Sequence, residues 1–108
     1  MDTLQQLQQV LTKFDAILMQ PKRLLITTLL YLLGSRKESE LVKILNMRWG
    51  DLTTHLKALE KHGYVKRRSV FTYRGPRTLV ELTEEGFLKY RELVGELRAF
   101  LDVHRFEK

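Results

Sequence analysis

Lys66, Arg67, Arg68, Arg74 and Arg77 fall within a stretch of twelve residues that holds no acid. Such a run suits a polyanionic partner, and by itself it suits a solvated surface hairpin equally well. Just upstream, Gly50, Thr54, Lys57 and Lys61 recur at spacings of four, three and four. A helix there would gather them on one face, with Thr53 and Asp51 beside them and Leu52, Leu56 and Leu59 on the opposite side. A small, hydroxylated and basic face can lie in a major groove, where Thr and Lys reach base edges and phosphates; it can also simply solvate the helix. Gly50 would let the backbone approach a phosphate at the free N–H groups of the helix start. Asp51 either accepts from a cytosine amino group or complements the helix dipole. Trp49 falls at the edge of the apolar face and reads as a packing residue.

Catalytic patterns are missing. His55, His62 and His104 are the only histidines, and cysteine is absent. His55 and His62 would stand about 10 Å apart along one helix, too far to share a metal without other ligands. The three serines, Ser35, Ser39 and Ser69, have no base patterned beside them. The expectation is a protein that is not an enzyme and needs no cofactor or metal.

The positive charge is concentrated. Between Arg36 and Arg77 stand eleven basic and four acidic side chains, a balance of +7, against eight and nine in the rest of the chain, a balance of −1. With 108 residues, 44% hydrophobic and 30% charged, the chain reads as one soluble globular domain with a modest core. The longest near-apolar run, Leu24 to Leu33, is too short to span a bilayer, which takes about 20 residues. The N-terminus lacks the pattern of a secretory signal, so a cytoplasmic protein that does not bind membranes is expected.

The elements that must hold the basic face follow from periodicity and breakers. Leu4, Leu7, Leu11, Phe14 and Leu18, with Val10 and Ile17, predict one helix over 3–19, closed by Gln20-Pro21. A second helix over 22–33, apolar around most of its circumference, ends at Gly34. Ser35 to Glu38 reads as a loop, and Ser39 as the N-cap of a third helix to Asn46 with Leu41, Ile44 and Leu45 inward. The fourth runs from Trp49 to His62, closed by Gly63. Two extended runs, Tyr64 to Tyr73 and Thr78 to Thr83, flank the turn residues Arg74-Gly75-Pro76-Arg77 and predict a hairpin. Thr83 caps a last helix reaching about Phe106.

Helix, short helix, exposed basic helix and basic-tipped hairpin resemble the small winged helix-turn-helix transcriptional regulators close to the MarR and ArsR groups. The resemblance runs through Pro21-Lys22-Arg23-Leu24, Trp49 to Val65, Arg74-Gly75-Pro76-Arg77-Thr78 and Leu82-Thr83-Glu84-Glu85-Gly86. It implies an α+β, mostly α fold with a two-stranded wing, its core over 21–83 and flanking dimerisation helices over 1–20 and 84–108. It further implies double-stranded DNA as partner, with the recognition helix 48–62 in the major groove and the wing 66–78 on the backbone or minor groove. Groove-facing roles then pass to Arg48, Gly50, Asp51, Thr53, Thr54, Lys57 and Lys61, and wing contacts to Arg68, Tyr73, Arg74 and Arg77. Arg48 stands where the family commonly caps this helix with Ser or Thr.

The flanking helices carry more apolar surface than so small a core can cover. On the last, Phe87, Tyr90, Val94, Leu97, Leu101 and His104 form one row, and Leu93, Phe100 and Val103 a second. A homodimer formed by Leu4, Leu7, Leu11, Phe14 and Leu18 with Tyr90, Val94, Leu97, Phe100 and Leu101 is expected. Two rivals remain, a winged helix that docks another protein and a sequence-tolerant architectural DNA binder. No polar cluster marks a pocket for a small-molecule effector.

Overall fold

A computed structural model describes residues 2–102, apart from the side chains of Val10 and Leu11; His104 and Val103 lie outside the described residues. Five helices and three strands follow in the order α1 (Thr3–Lys13), α2 (Pro21–Leu33), β1 (Arg36–Lys37), α3 (Glu38–Leu45), α4 (Trp49–Lys61), β2 (Val65–Thr72), β3 (Gly75–Leu82) and α5 (Glu84–Asp102). The expected mostly helical winged helix-turn-helix is observed, with one strand more than expected.

The first helix is shorter than its apolar stripe. It stops at Phe14, whose ψ of 136° is extended. Asp15 then takes the N–H groups of Ile17 at 2.9 Å and Leu18 at 3.2 Å on its side-chain oxygen, forming a local turn in place of another helical one. This turn drops Leu18 into the core, fully buried. Gln20 caps α2 by accepting from the Arg23 N–H at 3.0 Å, and Pro21 occupies the first turn, where no donor is needed. Of α2, Ile26, Thr27, Leu29 and Leu30 are buried, while Leu25, Leu32 and Leu33 remain exposed, against the expectation of a helix enclosed on nearly all sides. Thr27 satisfies its hydroxyl on the Arg23 and Leu24 carbonyls.

Helix α3 starts two residues early. Lys37 is its N-cap, and Glu40 reaches back to the Lys37 N–H at 3.0 Å, so Ser39 has no capping role. Leu41 is fully buried, but Ile44 is exposed rather than inward. In α4, Leu52, Leu56 and Leu59 are fully buried, as their spacing requires. Gly63 follows at φ 77°, the left-handed conformation in which the chain turns into the hairpin.

The sheet has strand order β1-β3-β2, all antiparallel. The short β1 lies where a loop was expected, with Arg36 opposite Val80 and Lys37 opposite Leu79. Thr72 pairs with Gly75, so the hairpin turns at Tyr73-Arg74 rather than over Arg74 to Arg77. Pro76 therefore sits in β3, beyond the reach of β1, on a free edge where a missing N–H costs nothing. The Thr83 hydroxyl accepts from Gly86 N–H at 2.9 Å and donates to the Gly63 carbonyl, capping α5 as expected and fastening it to the end of α4.

Helix α5 packs through Leu93, which is buried, and Tyr90, whose hydroxyl donates to Thr28 at 2.8 Å. Tyr31 stacks on Phe87 and Tyr90, with both centroid distances 4.8 Å. Two members of the expected dimer surface thus serve their own subunit: Leu18 and Tyr90 are closed inside it. Phe14 and Leu97 pack against the same core, and Phe14 meets Phe100 edge to face at 5.8 Å. Leu4, Leu7 and Leu101 are exposed.

Candidate nucleic-acid interface

Helix α4 presents Gly50, Thr54, Lys57 and Lys61 to solvent, with Thr53 and Asp51 half-buried beside them. The predicted face is therefore intact. Arg48 remains the N-cap position, with ψ 146°; its side chain is exposed and makes no capping hydrogen bond, since a guanidinium has no acceptor to offer the helix N–H groups. Thr54 donates its hydroxyl to the Gly50 carbonyl at 2.9 Å, which leaves its oxygen free to accept a further hydrogen bond.

Asp51 is already engaged. Lys22, from the first turn of α2, binds it at 2.9 Å, and that hydrogen bond, the Lys22 charge and the nearby Arg48 hold its carboxyl below the usual range. Asp51 stands in the first turn of α4, where an acid complements the helix dipole, and its pair with Lys22 also ties the start of α4 to the start of α2. Next to it Arg23 donates to the Ile17 carbonyl at 2.7 Å and approaches His55 Nδ1 at 3.4 Å. Arginine only donates, so Nδ1 must accept and the neutral ring carries its proton on Nε2. Burial first, then the charges of Arg23 and Lys22, push the His55 pKa down. The unfolded ring takes a proton near pH 6.5 while the folded one resists, so His55 contributes stability that is present above that pH and is lost as pH falls through it. Denaturant midpoints should therefore drop between about pH 7.5 and 5.5, and His55→Gln should flatten that drop. Parallel profiles for the two proteins would show that the ring is not so constrained.

The hairpin redistributes the charge seen in sequence. Alternation puts Lys66 and Arg68 on one face, where Arg68 at 2.8 Å and Lys66 at 3.6 Å both pair with Glu81 of β3. The hydrogen bond from Arg68 keeps the Glu81 carboxyl below its ordinary range. Arg67, on the other face, bridges Glu60 of α4 at 2.9 Å and Glu38 of α3 at 3.2 Å. The Glu60 hydrogen bond leads in raising its already high pKa, so the guanidinium is a fixed charge between three elements. Three members of the acid-free run are thus neutralised by acids outside it, and Arg68, an expected DNA contact, is committed to Glu81. Among the described residues Arg36, Lys37, Lys43, Arg48, Lys57, Lys61, Arg74 and Arg77 are in no ion pair. Within 36–77 the positive charge outside ion pairs therefore lies on β1, α3, α4 and the end of the hairpin.

Residues that spacing did not single out complete this face. Trp49 is 52% exposed, which overturns its assignment as a packing residue, and Phe71 and Tyr73 stand almost fully exposed near the hairpin turn. A cleft of about 250 Å³ is lined by Trp49, by Ser69, Pro76 and Thr78 of the hairpin, and by Lys37 and Ser39. Arg77 also lines it. Phe71 and Ser69 share a face by strand alternation, and the register sets them opposite Pro76 and Thr78.

Elsewhere, a cleft of about 380 Å³ opens between α2 and α5, lined by Tyr31, Tyr90, Val94, Arg91 and Arg98 among others. The sequence had marked no polar cluster there. Among the described residues no group of three or more His, Cys, Asp or Glu could hold a metal, and no helix is long and apolar enough to cross a membrane.

Residues 22–101 match a family model described as a winged helix DNA-binding domain. The chain is similar in structure to the transcriptional regulator homologue protein from Pyrococcus horikoshii OT3, with TM-score 0.81, 32% identity, and coverage of 91% of this chain and 95% of that one. A MarR family transcriptional regulator from Enterococcus faecalis V583 aligns with TM-score 0.70 and 25% identity over 95% of this chain and 88% of its own. NadR, solved in complex with 4-hydroxyphenylacetate, aligns with TM-score 0.65 and 28% identity over 93% of this chain and 73% of its own. No curated protein matches in sequence.

Proposed function

Because this chain belongs to the winged helix DNA-binding domain family, we propose that it is a transcriptional regulator that binds specific double-stranded DNA sites as a homodimer. One observation carries the reading: within 36–77, where the chain's excess positive charge is concentrated, the basic side chains in no ion pair lie on β1, α3, α4 and the hairpin end. The segment 48–62 enters the major groove. There Thr53, Thr54 and Lys57 read base edges, while Arg48, Lys61 and the backbone at Gly50 hold phosphates. The wing, 66–78, meets the backbone or minor groove through Tyr73, Arg74 and Arg77. In a two-fold dimer the recognition helices read half-sites about 34–36 Å apart, so the site is palindromic or nearly so. Leu4, Leu7 and Leu101, exposed on the flanking helices, join the two copies, with Val94 and Phe100 of α5 contributing.

Selection from a random duplex pool, followed by titration of the winning site across salt concentrations, tests this reading. A single palindromic motif should emerge, and log affinity should fall against log salt with slope about −5 to −9 for about 6–10 phosphate contacts. Binding without a motif would favour an architectural role. No binding at low salt by a folded chain would favour a protein-docking domain.

A further inference from the structure

In B-form DNA one sugar–phosphate backbone separates a major groove from the neighbouring minor groove. If α4 occupies the first and the wing meets the second, that backbone must pass between them. Between them lies the cleft of about 250 Å³ bounded by Trp49 and the hairpin. Its chemistry suits such an occupant. Ser39, Ser69 and Thr78 bring three hydroxyl groups with no side-chain hydrogen bond among the described residues. Lys37 and Arg77 bring charges in no ion pair there, and Arg77 rests only against the Pro76 carbonyl. Glu38 is the one carboxylate lining the cleft, and it is held at 3.2 Å by Arg67, which Glu60 shares. Trp49 adds a half-exposed apolar ring with a single N–H donor.

We propose that this cleft seats the backbone of one DNA strand. Hydroxyl groups of Ser39, Ser69 and Thr78 donate to a phosphate that Lys37 and Arg77 neutralise, and the Trp49 indole lies against the adjoining deoxyribose. The proposal rests on the DNA-binding reading and adds to it a defined path for the strand. These contacts fix the register of α4 in its groove and carry no sequence information of their own.

Trp49 is the only tryptophan, so its emission reports the cleft directly. With a short fluorescein-labelled duplex, anisotropy follows binding while acrylamide quenching follows Trp49. Binding should shield Trp49 from acrylamide. Ser69→Ala with Thr78→Val should weaken affinity about tenfold on specific and random duplexes alike, the effect of losing hydrogen bonds to a charged group. A neutral methylphosphonate moved along the strand should cost the wild-type protein affinity at one phosphate beside the major-groove site. The same replacement should cost the Lys37→Ala, Arg77→Ala protein less there, since only the hydroxyl contacts remain to be weakened. Normal DNA binding with Trp49 still open to acrylamide and no loss in the hydroxyl variant overturns the strand path alone. A folded protein that binds no duplex at low salt overturns the DNA-binding reading and the strand path together.

Discussion

Gly86→Ala should destabilise the protein by about 3 kcal/mol or more, the upper range for forcing atoms into a packed interior. Helix propensity predicts the opposite sign, since alanine in place of glycine within a helix gains about 1 kcal/mol. Packing decides. A Cβ at Gly86 would lie 2.0 Å from the Tyr64 carbonyl oxygen and 2.8 Å from its carbon, both backbone atoms. Neither can step aside cheaply. The Tyr64 carbonyl accepts the Thr83 N–H at 3.0 Å, and the Thr83 hydroxyl joins Gly63 to Gly86. Relief of the clash would detach α5 from the junction between α4 and β2. Urea unfolding of the wild type and the variant measures the effect, with Gly95→Ala as control, because nothing lies within 4 Å of a Cβ there. The control should hold or gain up to about 1 kcal/mol. A Gly86→Ala midpoint at or above the wild-type value would refute the close-approach argument.

What could be read without coordinates follows a physical division. Leu52, Leu56 and Leu59 revealed the inner face of α4 because helical periodicity is local, and the exposed Gly50, Thr54, Lys57 and Lys61 followed from it. Features decided by contacts distant in sequence stayed hidden. Asp15 looks like one polar position in an apolar stripe until its turn, and the Tyr64 hydroxyl that donates to its other oxygen, break the helix. Burial and that hydrogen bond push the Tyr64 phenol well above its usual range. The two residues of β1 are too few to show alternation, and only pairing with Leu79 and Val80 makes them a strand. Local turn chemistry suggested Arg74 to Arg77, but the Thr72–Gly75 pairing moved the turn back.

Charge shows the same division most plainly. Lys66, Arg67 and Arg68 look like the strongest part of the basic run, yet each meets an acid from another segment. Arg74 and Arg77, at the far end, keep their charge available. Gly86 is a further case. Its neighbours in sequence say helix, and only Tyr64, brought alongside by the fold, explains why the residue has no side chain.

The second large effect concerns the proposed homodimer. Leu101→Asp should halve the mass seen in sedimentation and lower affinity for a palindromic site by about 10²- to 10⁴-fold, the advantage lost when two half-sites are no longer bound by linked modules. The subunit itself should scarcely notice. Leu101 is 61% exposed near the end of α5, and surface changes of this kind shift stability by about 0.5 kcal/mol or less. Helix α5, with nineteen residues, is about 28 Å long, and its buried contacts, Gly86, Tyr90 and Leu93, all fall in its first half. Beyond them Leu97 still packs on the core, but Leu101 has little of its own subunit left to cover. Leu4 and Leu7 on α1 are exposed as well, and the Phe14–Phe100 contact links the end of α1 to this part of α5. A second copy is the partner that could cover both ends at once with a matching apolar surface. Because the variant keeps α4 and the wing intact, it should still bind a single half-site weakly with the salt dependence of one subunit. Dimeric mass together with undiminished affinity would place the pairing surface elsewhere, with the exposed Leu25, Leu32 and Leu33 of α2 next to be tested.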